Sequence, residues 1–475
     1  MSTITNTGKI DVPDLSDAPP AGAPYRPPAP VPKQQLSGPD GDLLQILSAG
    51  FYRRMAVRLR GVGRDVVVIN NPNEIKNVLS VSVEAFPKSD LMIAALEPLI
   101  GDGIFISNGA VWRRQRRMLE PALNQMRVRR MYPLMSASVT DFIARLRARG
   151  SGAEVVLDSE MSFVALDVIF RTIFSRPVSA AEAAEISTAF SNYQDRAPQD
   201  SMGTLFGHQG PPEVPVGELT EIAARIRSFI ARLVDERLAL SPQQAPPDDI
   251  LQAVIEARDP DDGSAFSREE LVNQISVLFL AGHETSASVL TWCFFILSQM
   301  PQLAEKIRND TIALAGGRPL EQDELGKAVA ARDTFRETLR LYPPVGFITR
   351  VSTAPATVAR YDIEAGTLIV ISPWLMHRHE KYWKDPDIFD PERFSEARER
   401  DIVAGTYIPF GLGARVCTGR TIAMIEGPLV VAEVTRALRF IPLQPETVVP
   451  SFRLTVRPQA SIRCKIEVLP MPSPA

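Results

Sequence analysis

A single cysteine lies in a glycine-rich stretch near the carboxyl end of the chain, Phe410-Gly411-Leu412-Gly413-Ala414-Arg415-Val416-Cys417-Thr418-Gly419. An apolar run that is predicted to be a helix, residues 421–434, follows directly. A cysteine at the amino end of a helix meets the positive end of the helix dipole and free backbone N–H groups, which favour the thiolate. Glycines let the backbone approach a flat ligand closely, and Arg415 offers a positive charge to an anionic group of that ligand. These residues predict a pocket for haem iron with Cys417 as axial ligand.

Two simpler interpretations of this stretch are possible. A Gly-x-Gly pair also occurs in phosphate-binding loops, but no predicted strand with a downstream acidic partner accompanies it here. A free cysteine is most often a small buried hydrophobic residue. The complete pattern Phe-Gly-x-Gly-x-Arg-x-Cys-x-Gly is more specific, and it resembles the haem-binding signature of the cytochrome P450 family. The resemblance implies that haem b is held by Phe410, Gly411, Arg415, Cys417 and Gly419, with the Cys417 thiolate on the iron.

A polar segment, Ala281-Gly282-His283-Glu284-Thr285, interrupts a long apolar run that is predicted to be a helix. Gly282 weakens a helix, and Thr285 can donate a hydrogen bond to the carbonyl four residues earlier, so a local opening of the helix is predicted. In isolation the segment would be one polar turn facing water in a cavity. The resemblance instead assigns proton delivery during oxygen activation to Glu284 and Thr285, and leaves His283 as a structural residue.

Two further motifs are predicted to form an ion network. Glu337 and Arg340 lie three residues apart, on one face of a predicted helix, where an isolated pair would contribute about 0.3–0.5 kcal/mol. The resemblance implies that this pair is buried and is joined by an arginine downstream, for which Arg393 in Pro391-Glu392-Arg393-Phe394 is the candidate. Arginine suits this role because its planar fork binds a carboxylate through two hydrogen bonds. The network is expected to lock the segment that leads to Cys417.

Haem carries two propionate groups that need cationic or N–H partners. Trp112 and Arg116 are four residues apart, hence on one helical face, and match a Trp-x-x-x-Arg element of the family. Arg350, which follows Pro343-Pro344, and Arg415 are expected to complete the set. The alternative for Trp112 is an ordinary aromatic residue of the core.

The region around Trp112 is strongly basic. Such a run is usually a solvated helix face. The resemblance implies that it lies on the cysteine side of the haem, where an electron donor docks, so an acidic ferredoxin or flavodoxin with its reductase is the expected partner. The basic residues, opposed along the sequence only by Glu120, are Arg113, Arg114, Arg116, Arg117, Arg127, Arg129 and Arg130.

The substrate side is less distinctive in the sequence. The candidate pocket positions, assigned through the resemblance, are apolar, which favours an apolar substrate such as a fatty acid, a terpenoid or an aromatic compound. They are Leu91, Met92, Phe105, Phe279, Ala281, Val345, Phe347 and Leu454.

The elements that position these residues are mostly helical. The predicted class is mainly α with a small β lobe (α+β): a single large helical haem-thiolate domain, residues 41–475, after a proline-rich N-terminal arm, residues 1–40. A helix is expected from Asp42, a β-hairpin from Ala56–Leu59 and Val66–Ile69, and a short helix from Asn73 to Leu79. The later predicted helices are 156–175, 179–195, 217–240, 247–258, 267–299, 301–316 and 327–341, with a long loop at 197–217 expected to cover the substrate channel. Strands are expected between Val351 and Ile371, and at 440–443, 453–456 and 462–468.

Bulk composition limits the remaining possibilities. The chain has 475 residues, 45% of them hydrophobic, and a formal net charge of −4, so nucleic acid is not an expected partner. Its three cysteines, Cys293, Cys417 and Cys464, form no disulfide or zinc pattern, which suits a reducing cytosol. The longest apolar run, Ile275–Leu297, contains charge near its middle, so no membrane span is expected and a cytoplasmic protein is predicted.

Together these features predict a haem-dependent monooxygenase. It would insert one atom of O2 into a C–H or C=C bond of an apolar molecule, with two electrons from NAD(P)H delivered by separate proteins. Three alternatives stay open: a peroxide-using or isomerising haem-thiolate enzyme, a non-catalytic haem sensor or carrier, and a helical scaffold without haem whose proline-rich arm binds a partner.

Overall fold

The structure is a computed structural model of the chain and describes residues 25–27, 44, 47–61, 63–196, 216–241, 246–452 and 454–472. Most of these residues are helical, and the strands form small sheets, so the predicted class, mainly α with a small β lobe, is confirmed. The helices are α1 (Pro72–Lys76), α2 (Asp90–Ile100), α3 (Gly109–Ala122), α4 (Gln125–Arg130), α5 (Tyr132–Ala148), α6 (Leu157–Phe174), α7 (Ala180–Arg196), α8 (Val216–Leu238), α9 (Ile250–Glu256), α10 (Arg268–Gln299), α11 (Pro301–Ala315), α12 (Gln322–Leu325), α13 (Val329–Leu341), α14 (Pro373–Met376) and α15 (Arg420–Ala437).

The strands form a four-stranded sheet, a three-stranded sheet and two two-stranded ones. The strands are β1 (Ala56–Leu59), β2 (Val66–Ile69), β3 (Glu154–Val156), β4 (Ile348–Val351), β5 (Ala356–Val358), β6 (Tyr361–Ile363), β7 (Leu368–Ile371), β8 (Leu438–Pro442), β9 (Pro450–Phe452), β10 (Val456–Pro458) and β11 (Arg463–Val468). In the largest sheet, β2 pairs antiparallel with β1 and parallel with β7, which also pairs antiparallel with β4. The three-stranded sheet has the order β3-β11-β8, while β5 pairs with β6 and β9 with β10.

Helix α10 is the central element, and it differs in one respect from expectation. It begins with a capping box in which Ser267 and Glu270 bond each other's backbone N–H groups, and it is a continuous α-helix to Gln299. The predicted opening at Gly282 is therefore wrong. A Cβ at Gly282 would lie 2.6 Å from Cδ1 of Ile169 on α6, so the missing side chain permits close packing of two helices.

Two other local predictions need correction. Of the strand expected at 453–456, Leu454 and Thr455 instead form a bend, and Val456 begins β10. The helix expected from Asp42 is not found in the described residues, where a 3-10 helix spans Ala49–Tyr52. The loop expected at 197–217 falls almost entirely outside the described residues.

Of the proline-rich arm, Tyr25–Pro27 are described, and the Tyr25 carbonyl accepts a hydrogen bond from the Phe389 N–H over 2.8 Å. The division at residue 40 stays a prediction.

Candidate active site

The glycine-rich stretch forms a tight loop that presents Cys417 just before α15. The Cys417 N–H donates to the Phe410 carbonyl over 2.9 Å, which closes the loop on itself. Gly413 has a φ of 77°, and a Cβ there would lie 2.0 Å from Oγ of Ser80 and 2.6 Å from the Leu79 carbonyl oxygen. Only glycine fits this position, both because of its backbone angle and because the neighbouring segment passes so close.

The thiol of Cys417 lies in a mixed environment. The surrounding chain encloses it, and this burial raises its pKa. The N–H of Gly419, the charge of Arg116 and the N–H of Arg420 act in the opposite direction. Cys417 is nevertheless exposed, so part of its surface is free to contact a ligand. A cation placed against the sulfur would offset the cost of burying a thiolate, which is what a metal centre provides.

Three basic side chains lie in or near the cysteine loop: the buried Lys88 and Arg350, and the half-buried Arg415. Lys88 and Arg350 are joined by a β-bridge, and Asn108 links the N–H of Lys88 to the guanidinium of Arg415 through its Oδ1. Burial, followed by the charges of Arg415 and Arg350, lowers the pKa of Lys88 to about 6, and burial with Arg415 lowers that of Arg350 to about 9. Three basic groups therefore lie close enough together to disfavour one another's charged forms.

The partners of these cations are neutral. The Lys88 ammonium donates to the carbonyls of Ile104 and Ser107, and Arg350 donates to the adjacent Thr349 carbonyl. Across the described residues, none of the three cations forms an ion pair, and Nε of both arginines lacks a hydrogen-bond acceptor. Basic side chains that are largely removed from solvent and have unused N–H groups fit an anionic ligand such as the propionates of haem. Lys88 was not predicted, because nothing in its local sequence indicates that it is buried.

Trp112 and Arg116 differ in their contacts. The Arg415 guanidinium lies 4.8 Å from the centre of the buried Trp112 ring, a cation–π contact that orients Arg415. Arg116 donates to Glu120 over 2.8 Å and to the Val416 carbonyl over 2.7 Å, directly beside Cys417. Arg116 therefore attaches α3 to the cysteine loop.

The polar segment of α10 is close to α15, the helix that follows Cys417. Ser286, next to Thr285, donates to Glu426 of α15 over 2.8 Å, and burial raises the pKa of Glu426 to about 8. On the otherwise largely buried helix, Ala281 is exposed and Thr285 is half-buried. Thr285 Oγ1 donates to the Ala281 carbonyl over 2.7 Å, as predicted from its spacing.

Glu284 and His283 face other partners. The buried carboxylate of Glu284 accepts from Oγ1 of Thr455 over 2.8 Å and pairs with Arg457. Nε2 of His283 lies 2.8 Å from Oγ of Ser162, and burial lowers its pKa to about 4, so this ring is neutral near pH 7. The structural role expected of His283 agrees with these contacts.

The structure brings Glu337, Arg340 and Arg393 together in the core. Arg340 binds both carboxylate oxygens of Glu337, each over 2.7 Å, with both side chains fully buried. Nε of Arg393 reaches the same carboxylate at 3.3 Å, and the Asp390 N–H donates to it over 2.9 Å. The two arginines also donate to a series of backbone carbonyls, those of His377, Pro386 and Ile388 for Arg340 and those of Lys384 and Asp385 for Arg393.

Comparison with known proteins identifies the family. The family model for cytochrome P450 matches residues 51–466. The chain belongs to the cytochrome P450 family. Cyclooctatin synthase of Streptomyces melanosporofaciens is 27% identical over 430 residues, 90% of this chain and 91% of that protein. Cyclooctat-9-en-7-ol 5-monooxygenase of the same organism is 26% identical over 373 residues (78% and 80%), and pentalenene oxygenase of Streptomyces avermitilis is 26% identical over 393 residues (83% and 82%).

Membership in the cytochrome P450 family implies an oxidoreductase with a thiolate-ligated haem. The residues present fit that group: a cysteine just before α15, glycines that let the loop turn tightly, and three basic side chains that form no ion pair with the part of the chain described. No helix in the described ranges is by itself long and apolar enough to cross a membrane; α10 and α11 meet those criteria only as a pair, bent by 109°.

One of the predicted pocket residues of this cytochrome P450 needs correction. Phe279 is fully buried, with its ring 6.2 Å from Phe170 and 6.4 Å from Phe174, so it belongs to the packed core between α6 and α10. The ring of Phe347 meets Phe452 edge-on at 4.8 Å. Of the other predicted positions, Phe105 and Ala281 are exposed. The rest are half-buried: Leu91, Met92, Val345, Phe347 and Leu454.

Acidic side chains from other segments neutralise much of the positive charge on α3 and α4. Arg114 pairs with Glu270 at 2.6 Å, Arg117 with Asp259 at 2.9 Å, Arg127 with Asp248 at 2.6 Å, and Arg113 with Glu84. Glu120, the one acid that opposes the run along the sequence, is therefore joined in the fold by acids from other segments. Sequence reasoning missed the pairs because the acids that form them come from distant parts of the chain.

Proposed function

We propose that this cytochrome P450 is a monooxygenase that inserts one oxygen atom of O2 into a C–H or C=C bond of an apolar substrate. Two electrons from NAD(P)H reach it through separate redox proteins. The cofactor is haem b, which when bound supplies the activation of O2. The observation that carries the proposal is the meeting of two elements: α15, headed by Cys417, and the polar turn of α10 around Thr285, joined by the bond from Ser286 to Glu426.

The chain's own residues have defined tasks in this proposal. Cys417 ligates the iron, while Gly411, Gly413 and Gly419 keep its loop thin beside the ring. Lys88, Arg350 and Arg415 bind the propionates, since they are basic side chains, two buried and one half-buried, whose described hydrogen-bond partners are neutral groups. Phe410 fixes the cysteine through its carbonyl, and Trp112 orients Arg415.

Proton supply is assigned to Glu284 and Thr285. Reduction of O2 to one hydroxyl in the product and one water consumes two electrons and two protons, and the protons must come from solvent. Glu284 is buried beside a half-exposed arginine and can carry a proton at its carboxylate. Thr285 Oγ1 offers a hydroxyl at the exposed part of α10, where rotation away from the Ala281 carbonyl would present its proton to the reaction space.

The substrate is proposed to be an unsaturated hydrocarbon or a related alcohol of terpenoid type. The names of two relatives specify pentalenene and cyclooctat-9-en-7-ol, an alkene and an alkenol. The half-buried pocket positions Leu91, Met92, Val345, Phe347 and Leu454 carry no charge, which suits such molecules. The proposal leaves Phe279 out of the pocket.

A ferredoxin or flavodoxin, with its reductase, is the proposed electron donor, and the proposed location is the cytoplasm. Segments that contact the cysteine loop or α15 carry the exposed apolar side chains of Val81 and Met126 and the exposed Arg129, and α15 itself begins with the exposed Arg420. Charge reversal at Arg129 and Arg420 should slow reduction most at low salt, because these cations have no partner among the described residues. Arg463, an exposed arginine on strand β11 that pairs with Glu154, provides the control.

The deciding experiment uses the purified protein. Reduction under carbon monoxide should give the red-shifted Soret band of a thiolate-bound haem, and pentalenene-like alkenes should change the spin state. Product formation with NAD(P)H and donor proteins supports the monooxygenase. Turnover with peroxide alone would favour a peroxide-using enzyme, absence of product under every condition a haem sensor, and a colourless protein a scaffold without haem.

A further inference from the structure

One face of α10 is attached to the hairpin formed by β9 and β10. Glu284, Ser288 and Trp292 follow one another at intervals of four residues and so project from the same face of the helix. Oγ of Ser288 donates to the Val456 carbonyl over 2.7 Å, and Nε1 of Trp292 donates to the same oxygen over 3.0 Å. The hairpin therefore lies along this face with a fixed register, and its turn comes level with Glu284.

At that level the hairpin provides both described partners of Glu284. Oγ1 of Thr455 donates to Oε1 of the carboxylate over 2.8 Å, and the guanidinium of Arg457 pairs with the same oxygen. The Glu284 side chain is 5% exposed, whereas that of Arg457 is 34% exposed, so the arginine connects a buried carboxylate to solvent. Within the described part of the chain, Oε2 of Glu284 has no hydrogen-bond partner and is free to accept one.

The same hairpin borders the proposed substrate pocket. Phe452 of β9 packs edge-on against Phe347, Leu454 lies in the turn, and the Val456 N–H donates to the Pro344 carbonyl over 3.0 Å. A molecule that contacts Leu454 would therefore press on the turn that holds Glu284. Substrate contact and the position of the carboxylate are linked through a few residues.

We propose that Thr455 and Arg457 are positioning residues for Glu284: they hold its carboxylate at the edge of α10, and Arg457 orients it from the solvent side, where water can deliver protons to it. The inference rests on the proposed proton role of Glu284. The hairpin is thus part of the proton supply as well as of the pocket wall. The acid faces the hairpin and the hydroxyl of Thr285 faces the Ala281 carbonyl, so the two groups are held separately.

The stoichiometry of oxygen insertion provides a sharp test. With O2, one substrate RH, two electrons and two protons give ROH and one water. With hydrogen peroxide, RH gives ROH and one water without further electrons or protons, because peroxide already contains both. A change that impairs only proton supply lowers product formation from O2 and leaves the peroxide-driven reaction intact.

The test compares the holoenzyme with Arg457→Gln, Arg457→Lys and Thr455→Val, using Arg463→Gln as a matched surface control whose partner, Glu154, is remote from α10. Arg457→Gln should lower product formed per NAD(P)H oxidised about tenfold or more, with a larger solvent isotope effect. Peroxide-driven turnover and the carbon monoxide spectrum should stay unchanged. Arg457→Lys should restore part of the coupling because it keeps the charge.

A second measurement does not depend on turnover. In a double-mutant cycle, Arg457→Gln should lower the thermal midpoint of the ferric protein more when Glu284 is present than in a Glu284→Gln background. Normal O2 coupling in Arg457→Gln, or equal losses with O2 and with peroxide, would overturn the inference. If Glu284→Gln itself leaves O2-driven turnover intact, the proton role in the proposed function fails. If Glu284→Gln is impaired and Arg457→Gln is not, only the positioning role fails.

Discussion

The backbone N–H of Ile408 donates a hydrogen bond to Nε2 of His377 over 2.8 Å, while Nδ1 of the same ring lies 2.9 Å from the Arg340 carbonyl. Since Nε2 accepts, the ring is neutral and its proton is on Nδ1. Ile408 directly precedes Pro409 and the cysteine loop. His377 therefore transmits the position of the Glu337–Arg340 pair to the segment that carries Cys417, a connection that the sequence alone did not predict.

The first prediction concerns the carboxylate at the centre of that network. Glu337→Ala would leave Arg340 buried without its ion-pair partner, at a cost of about 3–5 kcal/mol, and should yield protein without haem. Haem per polypeptide is the measurement. Glu380→Ala, which removes an exposed partner of Arg53, should retain normal haem content. Normal haem content in Glu337→Ala would contradict the proposed role.

The buried ring of His377 should make the stability of the folded protein sensitive to acid. Burial lowers its pKa to about 3, so between about 6.5 and 3 the unfolded chain binds a proton at this site that the folded chain does not. The free energy of unfolding should thus fall by about 1.4 kcal/mol per pH unit from this group as the pH decreases through that window. Chemical denaturation of the wild type and His377→Gln at several pH values tests it. Equal slopes for both proteins would show that His377 is not responsible.

Cys417 is expected to be the only essential cysteine among the three. Cys417→Ser replaces the sulfur by a hydroxyl and should abolish both the red-shifted carbon monoxide band and product formation. Cys293→Ala removes a fully buried thiol in α10, away from the cysteine loop, and should leave the carbon monoxide spectrum unchanged. A Cys417→Ser protein with its band and its activity unchanged would disprove the assignment of the axial ligand.

Gly413 allows a test of whether the cysteine loop must pass as close to Leu79 and Ser80 as it does. Gly413→Ala combines an unfavourable backbone angle with a methyl group 2.0 Å from Oγ of Ser80, and should lower stability by about 1–3 kcal/mol together with haem retention. Gly263 has a similar φ of 75°, but nothing lies within 4 Å of a Cβ there, so Gly263→Ala reports backbone strain alone. Thermal unfolding and haem content should separate the two variants; equal effects would mean that crowding is unimportant.

Lys88 predicts a link between haem binding and proton uptake. Its pKa is lowered to about 6 by burial and by Arg415 and Arg350, so the amine is largely neutral at pH 7 in the protein alone. An anionic propionate beside it would raise that pKa, and haem affinity should weaken as the pH rises above 6. The rate of haem transfer to an acceptor protein, measured from pH 6 to 9, should increase in the wild type and vary less in Lys88→Met. Identical pH dependence in both would contradict the placement.

The sequence predicted elements well where the signal is local. The hairpin Ala56–Leu59 and Val66–Ile69 occurs as predicted, because β-branched runs and two glycines determine it within fourteen residues. Contacts between distant segments were not predictable in this way. Asp248, Asp259 and Glu270 neutralise arginines far from them in sequence, and no periodicity in either segment indicates that pairing.

The candidate active site was likewise predictable where its motifs are local in sequence, and not where its residues act through distant segments. The glycine pattern identified Cys417 and its loop, and Glu337-x-x-Arg340 identified the buried pair. Lys88, His377 and Arg457 were missed, since each acts through neighbours supplied by other elements. Phe279 was assigned to the pocket from its position in the family pattern, but its ring turns toward α6, and the direction of one side chain on a helix that is buried almost all round cannot be read from hydrophobicity.

The parallel pairing of β2 with β7 has a consequence for biosynthesis. Val66 leaves the ribosome early, whereas its partner Leu368 is translated only after most of the chain has emerged. Until then the early hairpin carries an unpaired, apolar edge, since all four residues of β2 end up buried. A nascent chain that stalls before residue 368 would display that edge, which makes truncated products prone to aggregate and a target for chaperones.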